Sequence, residues 1–196
     1  MVRGGWPKRV LTALLVLASF APSLSMGNQN ATPSNPARDY FTDTILVDQD
    51  ARPHRFYSDL IAGRTVIINL IFTGCRSSCP IIMGRLLELQ DLLGDKANDV
   101  SILSISVDPV MDTPQALHAY AESLQAGPGW YFLTGSRDSV ETVLRRMGNR
   151  SSRPEDHTDL IVIGNDRSGT WIKLTAIATT EDIAQAVAEV ASKQMK

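Results

Sequence analysis

The longest apolar block in the body of the chain is Thr65-Val66-Ile67-Ile68-Asn69-Leu70-Ile71-Phe72, rich in β-branched residues. A strand covered on both faces has this pattern, because neither side can carry many polar groups. It therefore predicts the centre of a sheet with helices on each side. Beyond it, Ile82, Leu86, Leu89 and Leu93 recur at helical spacing until Gly94, which predicts a helix stopping there. Val100 to Val107 sets Ser101, Ser104 and Ser106 among aliphatic residues, a second buried strand broken by Asp108-Pro109. Thr113-Pro114 predicts a capped helix start with proline at the first helical position. That helix runs to about Gln125 and stops at Gly127-Pro128-Gly129.

Trp130 to Leu133 is a short aromatic strand. Val140, Val143, Leu144 and Met147 follow on a helix capped by Ser136 or Asp138 and ending at Gly148. Two hairpins frame this middle region. Ile45-Leu46-Val47 and Arg55-Phe56-Tyr57 flank the turn-rich Asp48 to Pro53; Leu160 to Ile163 and Trp171 to Leu174 flank Gly164 to Gly169. A last helix starts near Thr179, with Asp182 placed as in a capping box, and buries Ile183, Val187 and Val190. The predicted order is hairpin, strand, helix, strand, helix, strand, helix, hairpin, helix. It fits an α/β, thioredoxin-like fold: a mixed central sheet flanked by helices, with an added N-terminal hairpin.

The N-terminus has a different pattern. Arg3, Lys8 and Arg9 precede the apolar run Val10 to Ala21, and Ser23 and Ser25 follow. The run is shorter than the ~20 residues of a spanning helix, and with small residues behind it describes a secretory signal cut after about Ser25. If retained, residues 10–21 are a membrane anchor. Either way the expected location is outside the cytoplasm, periplasmic or anchored to the outer face of the inner membrane. Residues 26–39 are polar and proline-containing and read as a flexible linker, leaving 40–196 as one domain. Composition changes little: 43% apolar and 20% charged residues suit a single globular domain. Without Arg3, Lys8 and Arg9 the chain holds 16 basic and 21 acidic residues, net −5. That leaves no basic surplus for nucleic acid, and a monomer is expected.

Both cysteines, Cys75 and Cys79, lie where the central strand meets its helix, in Phe72-Thr73-Gly74-Cys75-Arg76-Ser77-Ser78-Cys79-Pro80. Two thiols one helical turn apart can come within the roughly 4.4–6.8 Å Cα separation of a disulfide. Pro80 favours a helix start near Cys79, so first-turn N–H groups point toward the sulfurs, and Arg76 adds positive charge; both favour thiolate. Such a pair can bridge, hold a soft metal ion or exchange with another dithiol. Of the three histidines, His54 reads as a solvated turn residue and His118 as a surface helical one. His157, in Pro154-Glu155-Asp156-His157-Thr158-Asp159, enters the second hairpin, a loop that lies against the cysteine turn in a thioredoxin-like fold. It is the candidate third ligand, and an imidazole added to thiolates suits copper.

Three stretches together carry a resemblance: Phe72 to Pro80, Ser106-Val107-Asp108-Pro109 with Asp112-Thr113-Pro114, and Asp156-His157-Thr158. In these, in order and in spacing, the sequence resembles the Sco/SenC family over about residues 40–190. Members are copper-handling thioredoxin-fold proteins that help build the dinuclear copper centre of cytochrome c oxidase. The resemblance implies Cu(I) or Cu(II) held by Cys75, Cys79 and His157, and thiol–disulfide activity of Cys75 and Cys79 on partner cysteines. It implies a copper-accepting oxidase subunit or a copper donor protein as partner. Asp108 matches a motif aspartate near the site, and Arg76 stands where the family often has proline. Two functions compete, a copper chaperone and a thiol–disulfide oxidoreductase in which Cys75 attacks and Cys79 resolves. A peroxide-reducing reading finds no second motif.

Overall fold

The computed structural model describes residues 35–151 and 153–193; the expected signal or anchor, residues 1–25, and the linker up to residue 34 lie outside them. Part of the expected linker is helical. Asn35 caps helix α1 (Pro36–Phe41), its Oδ1 accepting from the N–H groups of Ala37 at 2.9 Å and Arg38 at 3.3 Å. Asn35 Nδ2 also donates to the Tyr57 hydroxyl at 2.6 Å. The end of the expected linker, residues 35–39, is therefore a capped helical turn joined to the domain. An Asn-Pro pair serves a helix start as well as it serves a linker.

Strands β1 (Ile45–Val47) and β2 (Pro53–Arg55) form the N-terminal hairpin, with Ile45 opposite Arg55. The second strand ends two residues sooner than expected, because Phe56 and Tyr57 start helix α2 (Phe56–Leu60). The Asp59 carboxylate accepts the Arg55 N–H at 2.7 Å and fixes that helix start, and both aromatic side chains turn into the core.

The central sheet has five strands in the order β5-β4-β3-β6-β7. β3 (Thr65–Ile71) lies at its centre, parallel to β4 (Val100–Ser106) and antiparallel to β6 (Leu160–Asn165). β5 (Trp130–Leu133) and β7 (Thr170–Thr175) form the edges. Every residue of β3 is buried, as its unbroken apolar run requires of a strand covered on both faces. Ile67 and Ile71 face one layer with helices α3 (Cys79–Leu93), α4 (Pro114–Leu124) and α6 (Thr180–Ser192); Val66, Ile68 and Leu70 face the other with α1, α2 and α5 (Arg137–Arg146). The two parallel crossovers, the antiparallel hairpin and the closing helix give the thioredoxin-like arrangement.

The expected caps are present. Thr113 accepts from the Ala116 N–H, and Thr179 and Asp182 form a reciprocal capping box. Asn69 and Ser104 sit fully buried on adjacent strands of the sheet: Asn69 accepts from Ser104 Oγ at 2.8 Å, and Ser104 accepts from Trp130 Nε1 at 2.8 Å.

Candidate metal centre

The thiol loop leaves the sheet at the C-terminal end of β3. The Cys75 N–H donates to the Phe72 carbonyl at 3.0 Å, closing a tight turn, and α3 begins at Cys79. Cys75 therefore precedes the helix, and the two cysteines are not a helical i, i+4 pair. Pro80 in the first turn sets the helix start where the sequence predicts it. Cys75 is half-buried at the loop surface, and Cys79 is buried under it.

His157 arrives from the loop before β6, 78 positions along the chain from Cys79, and its Nε2 lies 3.6 Å from Cys79 Sγ. Its backbone is at the surface, but its side chain is only 3% exposed. The ring meets Phe72 edge to face, with centroids 5.7 Å apart. Nδ1 lies 3.2 Å from the Thr158 carbonyl, which can only accept, so Nδ1 donates there and Nε2 is the nitrogen turned to the sulfur. Two further bonds hold this loop. Ser78 Oγ, beside Cys79, donates to Asp159 Oδ1 at 2.5 Å, and the Thr158 N–H donates to the buried Asn149 at 3.3 Å. The donor atoms of Cys75, Cys79 and His157 lie within 4.8 Å of one another, the one such His/Cys/Asp/Glu group among the described residues.

The two thiols differ sharply. Burial would raise Cys75, but hydrogen bonds from the Cys79 thiol, from the backbone N–H groups of Ser77 and Cys79 and from the Ser77 hydroxyl outweigh it. They bring its pKa down to about 6. Burial, with the proton donated to Cys75, pushes Cys79 up to about 12. Near neutral pH the pair is a thiolate on Cys75 and a thiol on Cys79 that donates to it, with His157 Nε2 3.6 Å from the Cys79 sulfur. Arg76, expected to help form the thiolate, is exposed and is not among the largest causes of the shift; water screens its charge while the loop's donors reach the sulfur directly. Alkylation of Cys75 by iodoacetamide is expected to accelerate up to about pH 6 and then level off, whereas an ordinary thiol continues to gain rate up to about pH 8.5. A rate still rising tenfold between pH 7 and 8 would contradict the hydrogen-bonded thiolate.

The remaining candidates separate clearly. His118 is a surface residue, 3.2 Å from Asp50 and 3.5 Å from Glu122. His54 is not the solvated turn histidine expected: its side chain is 19% exposed, Nε2 lies 2.8 Å from the buried Asp48, and the ring packs edge-on to Tyr131. Neither joins the thiols. Asp108 closes a turn, its carbonyl accepting from the Asp112 N–H at 2.9 Å, and its carboxylate is not part of the donor cluster. Asp112, in the same motif, has a role that its sequence context does not assign. It is 1% exposed and accepts from Thr73 N and Thr73 Oγ1 at 3.2 and 2.6 Å and from Ser106 Oγ at 2.6 Å. Its position just before the Thr113-Pro114 cap was the only local signal that it ends a turn pointing back at the strand tips.

The fold and this cluster define a thioredoxin-like protein with a Cys–Cys–His centre at the strand-to-helix turn. The SCO1/SenC family model matches residues 33–192, and the chain belongs to that family. It is 30% identical over 138 residues to the SCO1 protein homolog of Bacillus subtilis, covering 69% of each chain. The solved structure of BsSco, a Sco-family cytochrome c oxidase assembly protein with a disulfide switch, superposes with a TM-score of 0.65 at 25% identity, over 80% of this chain and 94% of that one. Arabidopsis thaliana ScoI, solved with copper bound, gives a TM-score of 0.65 at 21% identity over 79% and 99%, a likeness of fold.

Proposed function

We propose that this protein binds copper on Cys75, Cys79 and His157 and hands it to a copper-accepting subunit during assembly of the dinuclear copper centre of cytochrome c oxidase. The observation that carries the reading is the third donor. Dithiol exchange requires two sulfurs only, yet an imidazole nitrogen is turned to Cys79 at 3.6 Å, its ring held by the Thr158 carbonyl and the edge-to-face contact with Phe72. Two thiolate sulfurs select soft Cu(I), and the added nitrogen extends the set to Cu(II). One donor is already ionised at neutral pH, so uptake displaces only the Cys79 proton. The family to which the chain belongs and the copper-bound relative of the same fold support the same assignment. Exposed Ile81, Val110 and Met111 lie within two residues of Cys79 or Asp112, apolar surface of the kind a protein partner covers. The basic and apolar N-terminal 25 residues support an exported location, with residues 10–21 as anchor if the signal is retained. Among the described residues no helix is long and apolar enough to cross a membrane.

A second reading is favoured by the asymmetry of the thiols. The Cys75 thiolate attacks one sulfur of a partner disulfide and releases the partner's other sulfur as thiolate. Cys79 then gives its proton to the released thiolate and attacks Cys75, forming the intramolecular disulfide and releasing the partner's second thiolate. The partner gains two electrons and the pair loses two. The two readings separate in one experiment. The reduced protein is titrated with Cu(I) and Cu(II), then mixed with a copper-free, oxidised oxidase subunit fragment. One equivalent of copper with a strong thiolate-to-Cu(II) absorption band, both lost in Cys75→Ser, is the expected result. Stoichiometric disulfide reduction without copper uptake would overturn the copper reading in favour of the reductase.

A further inference from the structure

We propose that Asp112 is a positioning residue for this centre: its buried carboxylate latches the thiol loop to the end of β4 and so fixes Cys75 relative to Cys79 and His157. The role deepens the copper-binding reading and rests on it. Cys79 is held by the first turn of α3 and His157 by its own loop bonds, whereas Cys75 stands ahead of the helix with only a turn to place it. That turn starts at Phe72 and Thr73, where Asp112 binds.

The bonding shows that the carboxylate serves the loop. Asp112 is 1% exposed, and no Lys, Arg or His forms an ion pair with it among the described residues. A buried carboxylate without a counter-ion is costly and persists only when hydrogen bonds compensate it. Its donors come from two strand ends only. Ser106, the last residue of β4, donates to one oxygen; the hydroxyl of Thr73, two residues past β3, donates to the other, and the Thr73 N–H is shared between both at 3.2 and 3.4 Å. Ile71 and Ser106 are partners in the parallel register, so the carboxylate spans two adjacent strands at the point where the thiol loop departs. An asparagine has only one acceptor oxygen and would turn an N–H₂ toward one of these donors. The carboxylate and the sulfurs also act on one common side chain: burial first, and then Cys79, Cys75 and Asp112 together, raise the Tyr120 hydroxyl to about 12. A fixed negative charge there favours a bound cation.

Removing one hydrogen bond to a buried carboxylate shifts the latch toward open by about tenfold, which exchange of the Cys75 amide reads directly, and losing a partner that orients a metal ligand lowers metal affinity by about 10–100-fold. Thr73→Val keeps the side chain's shape and removes only the hydroxyl donor; Thr73→Ser restores it. Two readouts are taken on the whole protein: the Cu(I) dissociation constant by competition with a chelator, and hydrogen exchange of the Cys75 amide without metal. The expected result for Thr73→Val is about tenfold weaker Cu(I) binding and about tenfold faster exchange at Cys75. Thr73→Ser is expected to behave as wild type and Asp112→Asn to lose at least as much as Thr73→Val. A lower melting temperature in Thr73→Val with both readouts within twofold of wild type would leave Asp112 a purely structural residue and overturn the proposal. If the wild type takes up no copper while Thr73→Val still frees the Cys75 amide, the latch stands and the copper reading falls.

Discussion

Replacing His157 by alanine is expected to weaken Cu(II) binding by at least about 100-fold while Cu(I) binding falls by no more than about tenfold. The difference follows from donor softness. Cu(I) is satisfied by two thiolates, which His157→Ala leaves in place, whereas Cu(II) prefers nitrogen and oxygen donors and loses its only imidazole. Even residues that merely orient a metal ligand cost about 10–100-fold when removed, so loss of a ligand should cost at least that. The effect should also be local. The ring makes no hydrogen bond that the fold requires beyond its own loop, and the Ser78–Asp159 and Asn149–Thr158 bonds remain. Competition titrations with each oxidation state measure both numbers. Equal losses for Cu(I) and Cu(II) would mean that the variant disturbs the cysteines rather than removing a donor. An unchanged Cu(II) affinity would remove His157 from the centre.

Gly164→Ala is expected to lower stability by about 3 kcal/mol, the upper part of the range for overpacking a filled site, with a fall of about 10 °C in the melting temperature of a domain this size. The cause is a cross-strand pair. Gly164 on β6 lies opposite Trp171 on β7, whose ring covers the glycine so closely that an added Cβ would lie 2.0 Å from the ring. The indole cannot easily withdraw, because Phe41 of α1 packs against it with centroids 4.7 Å apart. Moving it would disturb the contact between the N-terminal helix and the sheet edge. Denaturant unfolding measures the change, with the midpoint falling and the slope constant. An unchanged midpoint would show that Trp171 has another place to go. From the sequence, Gly164 looked like the first residue of a turn; it is instead the last but one residue of a strand, and the ring above it explains why it has no side chain.

The parts legible in the sequence are those governed by neighbours within one or two turns. A β-branched run buried on both faces can only be central, Thr113-Pro114 and Thr179 with Asp182 are helix starts by their own hydrogen bonding, and Pro80 sets where α3 begins. Sequence and structure part where hydrogen bonding and packing override the preference of the side chain itself. Phe56 and Tyr57 have strand-like side chains, but Asp59 caps them into a helix and the core accepts both rings. His54 sits in a turn, yet Asp48 and Tyr131 enclose it. Arg76 stood beside the thiols in the chain and was given their activation, while the donors that lower Cys75 are the loop's own N–H groups and the neighbouring thiol.

By itself the sequence determined the order of elements, the placing of both thiols at a strand-to-helix turn, and the family through three short motifs. Only the tertiary structure decided what those thiols face. His157 is 78 positions from Cys79, and Asp112 is 39 from Thr73; no local preference records either contact. Both depend on the sheet register, which brings the ends of β3 and β4 and the loop before β6 to one edge. A helix start is written in adjacent residues because backbone donors there need partners within reach. A three-donor centre is not, because its geometry exists only after three separate segments have closed over a common core.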